Sequence, residues 1–202
     1  MIYRAETGGR ALIAQIRAEL PITPLPPEAT FLRWLSSLEA LLWGEVVREK
    51  KTAALTVSGG RCSLSSLSVG AGEGSVLSAD LTAVYQNGEE LRRASFEDLL
   101  LFSPESPLWT KSGEKEIAVG GVEDGAVLDC VYLVRPAVRT GGEEEDAPVA
   151  LPEEFIELAA SKLRGEACRL AGEDALCATW FSDYTAKLES FAAWCDRRRG
   201  GA

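Results

Sequence analysis

Histidine is missing from all 202 residues. Its absence removes Ser-His-Asp and Cys-His activation of a nucleophile, and the commonest general base. Most catalytic zinc sites go with it. A C-x-x-C pair is also lacking. The five cysteines, Cys62, Cys130, Cys168, Cys177 and Cys195, are odd in number and scattered. They imply no structural zinc site and read as free thiols at small core positions in a reducing compartment. No run of about eighteen apolar residues exists, so no helix is expected to span a membrane. Met1 to Arg10 lacks the apolar run of a signal peptide, which implies a chain that is intracellular when made. Base is missing where acid is densest. Between Arg139 and Lys162 stand Glu143, Glu144, Glu145, Asp146, Glu153, Glu154 and Glu157, with no Lys or Arg among them. The net charge of −10 argues against a grip on nucleic acid phosphates.

What is present begins with the C-terminal third. Pro152 suits the first turn of a helix, where its missing N–H is not needed. Glu153, Glu154 and Glu157 then meet the positive end of the helix dipole. Ile156, Ala159, Ala160, Leu163, Ala167 and Leu170 recur at helical spacing. Gly172 interrupts, and Glu173 and Asp174 open a second helix. Cys177, Phe181, Tyr184, Leu188, Phe191 and Cys195 form its apolar stripe, widened by Trp180 and Trp194. The short break predicts an antiparallel helical hairpin. This stretch is a packing device that needs a partner surface.

The rest of the chain supplies candidates. A first helix is expected from about Glu6 to Leu20. Pro21 to Pro27, with four prolines in seven residues, reads as a stiff connector. A second helix is expected from Pro27 or Glu28 to Val47. Phe31, Trp34, Leu35, Leu38, Leu41, Leu42 and Val46 give it a broad apolar face. Trp34, Leu38, Phe181, Tyr184 and Phe191 are expected to share one helical core. From Lys51 the period becomes two. Strands are expected at Thr52–Val57 and around Cys62, Leu64 and Leu67. Two more should flank Asn87-Gly88, the preferred type I′ hairpin turn. Ser95 should cap a short helix, Phe96 to Phe102, with Asp98 supporting its start. A second hairpin is expected to turn at Ser112-Gly113, and the firmest strand is Val127 to Val134. Thr140 to Ala150 reads as an acidic surface loop.

The order of helices, antiparallel strands and helices is an α+β arrangement. It divides into a helical bundle from residues 1–50 and 150–199, an antiparallel β region over 51–137, and an acidic loop over 138–149. Residues with chemical potential are few. Gly70 to Gly74 lacks the lysine of a phosphate loop and reads as a turn. Glu97 with Asp98, or Asp129, would be the carboxylates of an enzyme. Asp98 fits a helix start better, and Asp129 the solvent face of a strand. Cys130 has no visible base, and its carboxylate neighbour would raise the thiol pKa. No catalytic, cofactor-binding or metal-binding residue is therefore assigned.

The chain resembles the head–tail connector (adaptor) proteins of tailed bacteriophages, the group similar to tail tubular protein A. The resemblance lies in the order and spacing of Val84 to Arg93, Val131 to Pro136, Leu151-Pro152-Glu153-Glu154-Phe155, and Trp180 through Tyr184 to Trp194. It covers most of the chain and implies a structural role with no catalytic residue and no cofactor. Copies would form a ring, expected to be dodecameric, though the isolated protein could be monomeric. The ring would dock under the portal of the capsid, extend the DNA channel, and receive a downstream tail or stopper protein. DNA would pass without specific binding, and no membrane is involved. The implied place is the virion neck, after synthesis in the host cytoplasm. The alternatives are another tail-completion or baseplate part, or a cytoplasmic α+β binding module.

Overall fold

The computed structural model describes residues 3–67, 69–70, 72–99, 106–139 and 146–200. The chain is α+β and divides into two compact units. One is Met1–Val47 with Pro136–Ala202, and the other is Arg48–Arg135.

The first unit is helical. Helix α1 spans Gly9–Glu19. It starts three residues later than the spacing suggests, because Gly8 is drawn into a bridge with Pro148. Leu12, Ile13 and Ile16 are its buried face. Helix α2 spans Glu28–Leu42 and continues as a π-helical turn, Trp43–Val47. Pro27 stands at its N-cap, where the lost N–H is harmless. A 3-10 turn, Glu153–Phe155, follows Pro152 and leads into α4, Ile156–Ala171. Gly172 takes φ 76°, a left-handed conformation that glycine adopts without a Cβ penalty. Its N–H donates to the Arg169 carbonyl (3.3 Å), and Glu173 N–H donates to that of Cys168 (2.9 Å). This is a Schellman stop. Helix α5, Asp174–Gly200, then runs back along α4. Phe155 packs on Phe191, Ser161 meets Asp183, and the ring of Phe181 lies where a Cβ on Gly165 would be 3.0 Å away. Falling against rising numbers mean an antiparallel pair.

The second unit holds two four-stranded sheets, ordered β1-β8-β3-β4 and β2-β7-β6-β5. Strand β1 is Lys50–Thr56, β2 Arg61–Ser63, β3 Leu81–Gln86, β4 Glu89–Glu90 and β5 Arg92–Arg93. A short helix α3, Phe96–Leu99, precedes β6, Leu108–Gly113, β7, Glu116–Gly120, and β8, Val127–Leu133. Along β8, Leu128, Cys130 and Tyr132 are buried while Val127 and Asp129 are exposed, the alternation of a strand with one covered face. The Asn87-Gly88 turn is present with both φ positive, 53° and 84°, as type I′ requires.

Four expectations are corrected. Leu64 is in a 3-10 turn, Leu64–Ser66, rather than a strand. The chain after Asn87-Gly88 does not continue as one hairpin strand. Leu91 turns inward, 3% exposed, and Arg92 and Arg93 switch to the other sheet, pairing in parallel with Leu108 and Trp109. The second hairpin turns two residues later, since Gly113 pairs with Glu116 across Glu114-Lys115. Finally, the end of the supposed acidic loop is internal. Val149 is fully buried and Ala150 is 5% exposed, because Ala5 N–H donates to the Val149 carbonyl (2.9 Å) and Val149 N–H donates to that of Thr7 (3.0 Å). Residues 140–145, including Glu143 to Glu145, lie outside the described residues, as does Leu100–Phe102 of the expected short helix.

Candidate functional site

The residues singled out for chemistry do not converge on one another among the described residues. Asp98 and Ser95 form a capping pair. Ser95 N–H donates to Asp98 Oδ2 (3.1 Å) and Asp98 N–H donates to Ser95 Oγ (3.2 Å). The backbone and hydroxyl of Ser95 hold the Asp98 carboxyl below its usual range. Glu97 and Asp129 are exposed, the latter on the solvent face of β8. Cys130 is fully buried, and burial first, then Cys62 and Asp129, push its thiol up to about 12. Burial pushes Cys62 up to about 11. A thiol held protonated is a poor nucleophile. In the Gly70 loop, Gly70 N–H donates to Glu73 Oε2 (3.0 Å). The donor that a phosphate would want already faces a carboxylate. Among the described residues, no three His, Cys, Asp or Glu side chains converge to hold a metal ion. No described helix is long and apolar enough to cross a membrane.

An open groove lies on the helical unit. Trp34, Ser37, Leu38 and Leu41 step along one face of α2. Lys162 and Glu166 come from α4, and Tyr184 comes from α5. Together they line a cavity of about 220 Å³. Leu38 is covered, but Leu41 is 53% exposed and Trp34 and Tyr184 are half-buried. Of the five residues expected to share one core, only Leu38 and Phe191 are buried. Trp34, Phe181 and Tyr184 form or adjoin the groove wall instead.

Charged and aromatic side chains frame the groove. Lys162 Nζ lies 4.7 Å from the Phe181 ring centre and 5.2 Å from that of Tyr184, and pairs with Glu166 at 3.0 Å. Burial alone would raise the Glu166 carboxyl. Hydrogen bonds from Lys162 and Arg169 outweigh it and hold the group below its usual range. Burial raises the Tyr184 phenol, so it stays a neutral donor at physiological pH. Aromatic walls with a small charged rim suit an apolar group.

Sequence reasoning missed a buried ion pair on the opposite face of α2. Glu39, 1% exposed, faces Arg139, 8% exposed. Arg139 Nη2 and Nε donate to its two oxygens at 2.8 and 3.1 Å, and Ala150 N–H donates to Oε1 at 2.8 Å. Arg139 Nη1 and Nη2 also donate to the carbonyls of Ala147 and Pro148. The pair thereby ties the segment before α4 to α2. A signal existed: Glu39 sits in the apolar run of α2 between Leu35 and Leu42. Trp43, one turn on, donates its Nε1–H to the Ala150 carbonyl at 2.7 Å.

Comparison with protein-family models and with curated proteins finds no match for the chain.

Proposed function

We propose that this chain is a structural protein of the tailed-bacteriophage virion, a head–tail connector. In this reading its copies close a ring beneath the portal, extend the DNA channel and seat a downstream tail or stopper protein. The class comes from the resemblance of the ordered motifs. The observation that carries it is the open groove of Trp34, Leu41 and Tyr184. A helical unit with a well-filled core still leaves Leu41 53% exposed in a framed cavity, and a closed ring needs such heterologous contacts between neighbours. The net charge of −10 suits a conduit through which DNA slides rather than sticks.

The test mixes purified protein with the portal from the same genome and images the particles. Added ring density on the portal is the expected result, with no retention of duplex DNA by the free protein. Bare portals at every ratio, together with DNA binding that weakens steeply as salt rises, would refute the reading.

A further inference from the structure

Two arginines of the helical unit lie over aromatic rings, and they differ in what their N–H groups meet. Arg164 is 5% exposed, with its guanidinium carbon 4.8 Å from the Trp180 ring centre. Its Nη1 donates to Glu157 at 3.0 Å, and its Nη2 pairs with Glu19. This arginine is stacked, and carboxylates of the same chain take its two terminal nitrogens, while its buried Nε meets no acceptor among the described residues. Arg198 lies 4.6 Å from the Trp194 ring centre and 5.6 Å from that of Tyr3. It is exposed, and among the described residues no acceptor meets its guanidinium. Arg197 beside it is exposed as well. The end of α5 that carries them is fixed. Arg199 donates to the carbonyls of Val46 and Val47 at 3.1 and 3.4 Å and pairs with Asp196. Tyr3 and Trp194 meet edge to face at 5.2 Å.

We propose that Arg198, with Arg197 beside it, is a docking point for a carboxylate-rich segment of a partner protein. A planar guanidinium presents paired donors that match a carboxylate. Two rings already restrain it, so less freedom is lost on binding. The dipole at the C-terminal end of α5 favours positive charge there, but it does not call for a ring on either side. Arg164 shows that a stacked arginine of this helical unit takes carboxylates, there from two different helices. Duplex DNA fits less well, because one negative charge per roughly 1.7 Å of axis would bring a long row of phosphates against a protein of charge −10. An acidic segment brings a few carboxylates to one basic end. The site does not depend on ring formation.

Calorimetric titration of the full chain with a hexaglutamate peptide at low ionic strength tests this. The wild type should bind. Arg198→Ala and Arg197→Ala should each weaken binding by roughly tenfold, the scale of one charge-assisted hydrogen bond. Arg198→Lys keeps the charge but loses the planar fork, so it should weaken binding too. Arg169→Ala, at the opposite end of the helical hairpin, should change nothing. The proposal fails if the wild type gives no binding, or if Arg169→Ala loses as much as Arg198→Ala. It also fails if Arg198→Lys binds fully. A short DNA duplex that binds more tightly than the peptide, and is lost with Arg198→Lys, would overturn it in favour of a nucleic-acid site. Arg198→Lys retains the side chain's length and charge, so the test survives if Arg198→Ala does not fold.

Discussion

Helix α5 carries one apolar stripe and two environments. At its C-terminal half, Phe191 is fully buried and Cys195 is 4% exposed. Phe191, Trp194 and Phe155 pack ring on ring, with centres 4.9 to 6.0 Å apart, and Tyr3 links this cluster to Trp43. At its N-terminal half, Cys177, Phe181, Tyr184 and Leu188 continue the same spacing but stay half-exposed. The periodicity is equal along the helix. Only the C-terminal half meets the N-terminal segment, the π-helical turn and the 3-10 turn. A stripe specifies that a face will be covered, while the reach of the rest of the chain decides how much of it is. The uncovered half has the groove beside it.

Substitutions that separate the two halves should rank by burial. The largest effects belong to the closed end. Phe191→Ala should destabilise by about 3–5 kcal/mol, the range for a fully buried ring. Phe181→Ala should cost roughly half as much, since its ring is only partly withdrawn from water. Denaturant melts of both variants measure the difference, and equal losses would erase the distinction. Glu39→Ala removes the carboxylate opposite Arg139 and three hydrogen bonds in the closed region. It should lower stability by about 3–5 kcal/mol, as breaking a buried pair does. Glu39→Ala within 1 kcal/mol of wild type would show that the pair merely rides on a core stable without it.

On the half-open side the effects are smaller and depend on pH. Hydrogen bonds from Lys187 and Ser161 hold the Asp183 carboxyl below its usual range. A carboxyl lowered in the folded state adds stability above its unfolded value of 3.8, and that stability is lost as pH falls through the folded value. The melting temperatures of wild type and Asp183→Asn should therefore differ modestly at pH 7 and converge below pH 4. A gap that stays constant with pH would mean that the charge is irrelevant. Least affected should be Leu41→Ser, within about 0.5 kcal/mol for the isolated chain, because that side chain already faces water. A larger loss would make Leu41 part of the core.

The legible parts of the fold were those written in local residues. Asn87-Gly88 demanded a type I′ turn, Gly172 a helix stop, and Ser95 with Asp98 a cap. All three are made by side chains within a few positions of one another. The illegible parts depended on distant partners. Nothing near Leu91 announces that Arg92 and Arg93 will leave β3 for β6, because Leu108 and Trp109 supply the reason. Likewise, Val149 and Ala150 follow an acidic run in sequence, yet Ala5 and Glu39 make them internal. The groove falls between these cases. Trp34, Leu38 and Leu41 were visible as an apolar face, but which of them stays open is fixed by where α4 and Tyr184 of α5 stand against α2. Arg198 was unremarkable in sequence, and it stands out only against Trp194 and Tyr3.

The most direct measurement is hydroxyl-radical footprinting of Trp34 and Tyr184, comparing the free protein with its complex on the portal. Expected is strong protection of both in the complex, while Phe191, already buried, stays unchanged. Unaltered labelling of Trp34 and Tyr184 in a complex seen by imaging would contradict the role given to the groove.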